Sequence, residues 1–405
     1  MFCSPSNILA FGISVLFSLS STSASLATDS ELTTAQQTQI DDTFAMWGQD
    51  DSPGVAVGVV RNGKLIFSKG YGLADLEHDV PIDASTVFYM ASVSKHFVTF
   101  CILLLEEQGK LDLDDEIQKF LPDFPKYESP LTIRHFIHHT SGVRDSLTLW
   151  RLAGNDYLDY IHDDAIYDLI KQQKALNFPP GEKYLYSNSC YFMLAKIVEK
   201  ASGSTIRKFA EKHIFRPLGM KNTHFHDDVN QIIKNRAFSY QANWWKDYRN
   251  IIMRFDLVGS GGLYSTIEDM ALWDQNFNQN RLGKGGPDLI AKMLTEGKLN
   301  SGESCNYACG LQNRIYRGLT TIEHGGALAG YRTYFLRFPD QKTSITILAN
   351  VDNVNAGKKA KQVADIVLAE SFSAVTPGVQ SKSKKDQNSK SAKPKNEISQ
   401  SWKRQ

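Results

Sequence analysis

The stretch Tyr89-Met90-Ala91-Ser92-Val93-Ser94-Lys95-His96-Phe97 runs without Pro or Gly into Val98-Thr99-Phe100-Cys101-Ile102-Leu103-Leu104-Leu105. An apolar run of this kind predicts the start of a buried helix. Residues three apart share a helical face, so Ser92 and Lys95 are expected side by side at the first turn. A hydroxyl beside an amine at a helix N-terminus can supply a nucleophile, its proton acceptor and an anion-stabilising dipole. The same spacing also suits a serine near a helix start with a solvated lysine, so the rest of the chain has to decide. Ser94 is no rival nucleophile, because adjacent residues on a helix point about 100° apart.

Upstream, Leu32 to Trp47 reads as a helix. Gly54 to Val60, Arg61-Asn62-Gly63-Lys64 and Leu65 to Ser68 then form a hairpin signature, since Asn-Gly supplies the positive φ angles of a two-residue turn. A third strand is expected near Tyr71 to Ala74. Downstream, from about Leu111 to Phe255, the pattern is mostly helical, interrupted by Pro-rich loops at 121–125 and 178–182. Ser265-Thr266-Ile267-Glu268 reads as a capping box opening a helix toward Asn278. From Tyr307 strands return: Gly310 to Tyr316, Tyr331 to Phe338 and Thr343 to Ala349, followed by a helix from Lys358 to Ser371 that should pack on them. Strands at both ends with helices between them predict an α/β (α+β) fold. Its antiparallel sheet is built from both chain ends, with flanking helices and a mostly helical lobe inserted at roughly 100–255.

The chain has 405 residues and a formal net charge of +1. From Gln380 to Gln405 there are eight Lys/Arg and two Asp/Glu, so this tail carries +6 and the rest −5. The body thus offers no overall attraction for nucleic acid, and any weak contact with an anionic envelope or membrane surface would belong to the tail. Residues 375–405, poor in apolar side chains, are expected to be a disordered basic tail. Residues 1–27 read as a signal peptide, with an apolar stretch at Ile8 to Leu19 and a small-x-small site at Ser25-Leu26-Ala27. This predicts a secreted or periplasmic protein, or a membrane-anchored one if the segment stays uncleaved. The expected domain spans 28–374. Cys305 and Cys309 are close enough to pair in an oxidising compartment, whereas Cys101 and Cys190 suit core positions. His135, His138 and His139 cluster without Glu or Cys partners at metal spacing and read as helix-end and loop residues.

Two further motifs follow Ser92-x-x-Lys95. Tyr186-Ser187-Asn188 sets a phenol and an amide on one side of a tight turn, and His324-Gly325-Gly326 leads toward the strand near Tyr331, with glycines that let a substrate lie against backbone. In this order and β–α–β setting the chain resembles the serine β-lactamase and penicillin-binding-protein superfamily. It is most similar to the class C β-lactamase-like serine hydrolases, which include D-alanyl-D-alanine carboxypeptidases, D-aminopeptidases and esterases. The resemblance covers roughly residues 31–372. It includes Leu131 to His135, His139-Thr140-Ser141-Gly142, Pro217-Leu218-Gly219-Met220 and Gly259 to Thr266.

The resemblance implies a Ser92 acyl-enzyme on ester, amide or D-amino-acid peptide bonds, with no metal or organic cofactor. Tyr186 would share a proton with Lys95 and later activate the deacylating water; which of the two is the formal base stays open, because coupled groups titrate together. Asn188 would orient Lys95 and the substrate, and the backbone N–H groups of Ser92 and Ala327 would form an oxyanion hole beside Gly326. His324 stands where typical β-lactamases carry lysine. At an unperturbed pKa it would be about a quarter charged at pH 7, which weakens the case for an efficient β-lactamase and leaves slow β-lactam turnover open. Arg332 is a second candidate for a substrate carboxylate, or else a solvated strand residue. Trp244, Trp245 and Tyr248 either rim the cleft or pack against the helical lobe. The rival reading is a penicillin-binding-like sensor that acylates slowly or not at all.

Overall fold

The computed structural model describes residue 1 and residues 31–374, except 49–50, 157–158, 244–246 and 255. The signal segment, the basic tail and the Trp244-Trp245 pair lie outside the described residues. The elements that position the site are, in chain order, α1 (Thr34–Phe44), β1 (Val55–Arg61), β2 (Lys64–Tyr71), β3 (Phe88–Tyr89), α2 (Lys95–Glu107), α3 (Ser146–Leu152) and α4 (Asn188–Ser202). They continue with β4 (Leu263–Ser265), α5 (Ile267–Asn278), β5 (Gln312–Tyr316), β6 (Leu319–Leu328), β7 (Tyr331–Phe338), β8 (Thr343–Ala349) and α6 (Ala356–Val367).

The main sheet has the order β5-β6-β7-β8-β1-β2, antiparallel throughout. Its two chain ends meet where Val55 pairs with Ala349 and Arg61 with Thr343. Asn62 and Gly63 close the first hairpin with φ of 51° and 77°, the positive angles read from their sequence. Side chains alternate faces along a strand. Val55, Val57, Val59, Leu336, Phe338, Ile345 and Ile347 pack with α1 and α6, while Ala56, Phe335 and Leu348 join the larger core containing α2, α4 and α5. Every residue of α2 from Lys95 to Leu105 is buried, as expected of a helix apolar on all sides.

Several boundaries differ from the sequence reading. Four strands, not three, follow Tyr307, because His324-Gly325-Gly326 lies inside β6 rather than ahead of β7. Two successive glycines look like a break, but here they allow close packing: a Cβ on Gly326 would stand 2.5 Å from the Met90 carbonyl oxygen. Helix α5 is capped by Thr266, whose hydroxyl accepts from the Asp269 N–H at 3.1 Å. Ser265 belongs to β4, with its hydroxyl bonded to that of Thr223. The closing helix begins at Ala356, capped by Asn355, and a separate helix spans Ala369–Ala374. Tyr248 packs with Ala242 against the α1/α6 core and does not line the cleft. The four described cysteines, Cys305 and Cys309 among them, are free thiols. No described helix is long and apolar enough to cross a membrane.

Candidate active site

Ser92 sits on a 3-10 turn, Ala91–Ser94, that precedes α2. Strand β3 delivers the chain to this turn, with Tyr89 paired to Tyr264 of β4 and the Met90 N–H donating to the Leu263 carbonyl at 2.8 Å. Ala91 then takes a φ of 47°, a left-handed conformation costly for a residue with a Cβ. The turn is pinned through Ser94, whose hydroxyl donates to the Ala91 carbonyl at 2.6 Å and accepts from the Leu263 N–H at 3.1 Å. Ser94 is therefore committed to structure, and Ser92 is left facing the cleft.

Lys95 is fully buried one turn on. Its Nζ lies 3.1 Å from Ser92 Oγ, 3.1 Å from Asn188 Oδ1 and 2.7 Å from the Ser260 carbonyl oxygen. Burial drives its pKa down from 10.5 to about 7, against the opposing pull of Asp145 and Cys190. A neutral amine has two N–H groups and one lone pair. Asn188 Oδ1 and the Ser260 carbonyl can only accept, so they take both N–H groups and aim the lone pair at the Ser92 hydroxyl.

The Tyr186 loop is held by the segment 139–145 along its whole length. The Leu185 N–H donates to the His139 carbonyl at 3.0 Å, the Ser187 N–H to His139 Nδ1 at 3.2 Å, and the Ser189 hydroxyl to the Arg144 carbonyl at 2.6 Å. Asp145 Oδ2 accepts from both the backbone N–H and the side-chain Nδ2 of Asn188, at 2.7 and 2.9 Å. The His139 ring packs tilted against Tyr186, with centroids 4.3 Å apart and planes 37° apart. Lys95 Nζ stands 4.9 Å from the centre of the same phenol ring. Burial raises the Tyr186 pKa, with the Ser92 hydroxyl pulling the other way, so this phenol keeps its proton at neutral pH.

His324 is placed differently from the sequence expectation. Its ring is 5% exposed, lies behind Tyr186 and is not part of the cleft lining. Nδ1 donates to the Gly325 carbonyl at 2.7 Å, which leaves Nε2 to accept from the Tyr307 hydroxyl at 3.0 Å. Burial, with help from Lys95, lowers its pKa to about 3, so it is neutral rather than partly charged at pH 7. The backbone of the motif does reach the cleft. Pairing of β6 with β5 stops at Glu323, and Gly325, Gly326, Ala327 and Leu328 form one cleft wall. Arg332 also lines the cleft, with Nη1 donating to the carbonyls of Ala329 and Tyr331.

The cleft encloses about 720 Å³. Ser92, Tyr186, Asn188, Gly326, Ala327 and Arg332 converge on it, Lys95 lies beneath its floor, and Leu147, Ile161, Leu257 and Val354 supply apolar walls. Among the described residues, no three His, Cys, Asp or Glu side chains converge as metal ligands would. Sequence reasoning missed Asp145, Ser260, Tyr307 and the packing of His139 against Tyr186. Asp145 carried a detectable signal as the cap ahead of α3, but nothing tied it to Asn188, 43 residues away.

A protein-family model described as Beta-lactamase matches residues 39–368. The chain is 29% identical over 311 residues to penicillin-binding protein 4* of Bacillus subtilis (strain 168), covering 72% of this chain and 66% of that one. It is 28% identical over 325 residues to a D-aminopeptidase of Brucella anthropi, covering 80% and 61%. It therefore spans less than two thirds of either relative. Among solved structures, the octameric penicillin-binding protein homologue from Pyrococcus abyssi superposes with a TM-score of 0.72 at 24% identity, covering 83% of this chain and 77% of that one. This protein belongs to the Beta-lactamase family.

Proposed function

We propose that the protein is a serine hydrolase that acylates Ser92 with ester, amide or D-amino-acid peptide substrates and then releases the acyl group to water. The observation that carries this reading is the environment of Lys95, a buried amine within hydrogen-bond distance of two carbonyl oxygens and of Ser92 Oγ, so that in its neutral form the lone pair is left for Ser92. Ser92 Oγ attacks the carbonyl carbon as its proton passes to Lys95 Nζ. The backbone N–H groups of Ser92 and Ala327 stabilise the oxyanion. Protonated Tyr186 gives its proton to the leaving group and recovers one from Lys95. In the second half Lys95, relayed by Tyr186, takes a proton from water as the water oxygen attacks the acyl carbon, and returns that proton to Ser92 Oγ as the acyl–oxygen bond breaks.

The relatives named D-aminopeptidase and penicillin-binding protein support peptide or amide substrates. The apolar walls suit an acyl group without charge. Neutral His324 offers no cation to a substrate carboxylate, which speaks against efficient β-lactam hydrolysis, and leaves Arg332 as the residue to meet such a group. The test is mass spectrometry after brief exposure to a fluorophosphonate and, separately, to a penicillin, beside p-nitrophenyl ester and D-alanyl-D-alanine peptide turnover. A Ser92 adduct with turnover is expected, and Ser92→Ala should lower turnover on the order of 10⁶-fold. Turnover that survives Ser92→Ala would overturn the assignment; an adduct without turnover would favour the slowly acylating sensor.

A further inference from the structure

We infer that Asp145 is a positioning residue for Lys95: by fixing which way round the Asn188 amide lies, it fixes where the Lys95 lone pair points. This inference rests on the serine-hydrolase reading above. A side-chain amide can lie either way round, one face donating and the other accepting. Asp145 removes the choice. Its Oδ1 caps α3 by accepting from the Thr148 N–H at 2.9 Å. Its Oδ2 accepts from both the Asn188 N–H and Asn188 Nδ2, and an ionised carboxylate only accepts. Nδ2 must therefore face Asp145, which turns Oδ1 to Lys95 Nζ. With the Ser260 carbonyl as second acceptor, the lone pair is left for Ser92 and nothing else.

Asp145 also sets the charge around Lys95. The other titratable groups facing that amine are Tyr186 and Tyr191, whose rings it overlies, Cys190, and the histidines His96, His139 and His324. Burial keeps the tyrosines and the thiol protonated and the three histidines neutral. Asp145 is thus the anion of the set, and its charge holds a proton on Lys95 more firmly than burial alone would.

The test is Asp145→Asn, with kcat/KM for a p-nitrophenyl ester followed against pH. Asparagine is itself a strong N-cap residue, so α3 can keep its cap. Its oxygen can serve Thr148 or Asn188 but not both. If it caps, its NH₂ faces Asn188 and flips that amide, so that a donor now meets Lys95 and draws its lone pair from Ser92. The high-pH plateau should fall about 100-fold, the cost of misaiming the base. The acidic limb, set by Lys95, should move down by about one pH unit because the anion is gone. A residue needed only to hold the fold would lower the plateau without moving the limb.

Asn188→Ala removes the arm through which Asp145 acts, and in that background Asp145→Asn should change the plateau by less than about threefold. Unaltered plateau and limb in Asp145→Asn, or full additivity of the two changes, would overturn the inference. If Asp145→Asn does not fold, Asp145→Ser decides: serine can keep the cap on α3 but removes the carboxylate from Asn188, so plateau and limb should both fall, and unchanged values overturn the proposal. Failure of the underlying reading looks different, because wild-type turnover would then survive Ser92→Ala.

Discussion

Among the described residues one lysine and one arginine, Lys95 and Arg337, are buried, and the fold treats them in opposite ways. Arg337 on β7 is 3% exposed and meets Asp274 of α5 at 2.8 Å, with Asn278 Oδ1 accepting from Nη2 at 2.7 Å. Lys95 is just as buried but touches only uncharged oxygens, and its nearest anion, Asp145, acts through Asn188. Arginine keeps its charge in proteins, so a carboxylate in contact makes that pair a fixed strut between sheet and helix. Lysine shifts its pKa readily when desolvated, and with no carboxylate in contact to offset burial Lys95 is brought down to about 7, as the proposed base requires. What separates structure from chemistry is the ionic character of the neighbour, with burial the same in both.

That contrast is open to direct attack. Arg337→Met leaves the Asp274 carboxylate buried without a partner and should cost about 3–5 kcal/mol in denaturant unfolding. A loss under 1 kcal/mol would mean that the strut contributes no more than a surface pair. Lys95→Met should have the opposite sign. The Lys95 pKa falls from 10.5 to about 7 on folding, so the unfolded chain binds the extra proton between those values and stability rises with pH across that window. The displaced proton corresponds to up to about 4–5 kcal/mol below pH 7, part of it offset because methionine leaves Asn188 Oδ1 and the Ser260 carbonyl without a donor. The net expectation is a gain of about 1–3 kcal/mol at neutral pH that shrinks as pH approaches the ordinary lysine pKa. A variant less stable than wild type at every pH would show that Lys95 is a structural cation after all.

The sequence carried much of the frame, for reasons that lie in local chemistry. Asn62-Gly63 marked its hairpin because few residues accept those φ angles, and the unbroken apolar run after Lys95 marked a buried helix. Ser92, Lys95, Tyr186 and Asn188 were legible as motifs, and they do meet at one cleft. What stayed hidden depends on tertiary packing. The positive φ of Ala91 comes from the clamp between β4 and Ser94. Gly325-Gly326 was read as lying ahead of the strand near Tyr331 rather than inside β6, because the Met90 turn that presses on β6 lies more than 200 residues earlier. His324 read as a substrate ligand about a quarter charged at pH 7 because burial under Tyr186 and the Tyr307 hydroxyl cannot be seen in one motif. Asp145 went unread in the sequence; it caps α3, and its second role appears only once Asn188 is folded against it.

The central claim is that a neutral Lys95 activates Ser92. Its most direct test is the rate of Ser92 labelling by a fluorophosphonate, followed by intact mass from about pH 5 to about pH 10. The predicted result is a rate that rises about tenfold per pH unit on the acid side and levels off above about pH 7. A rate that keeps climbing toward the ordinary lysine pKa, or one indifferent to pH across the range, would contradict it.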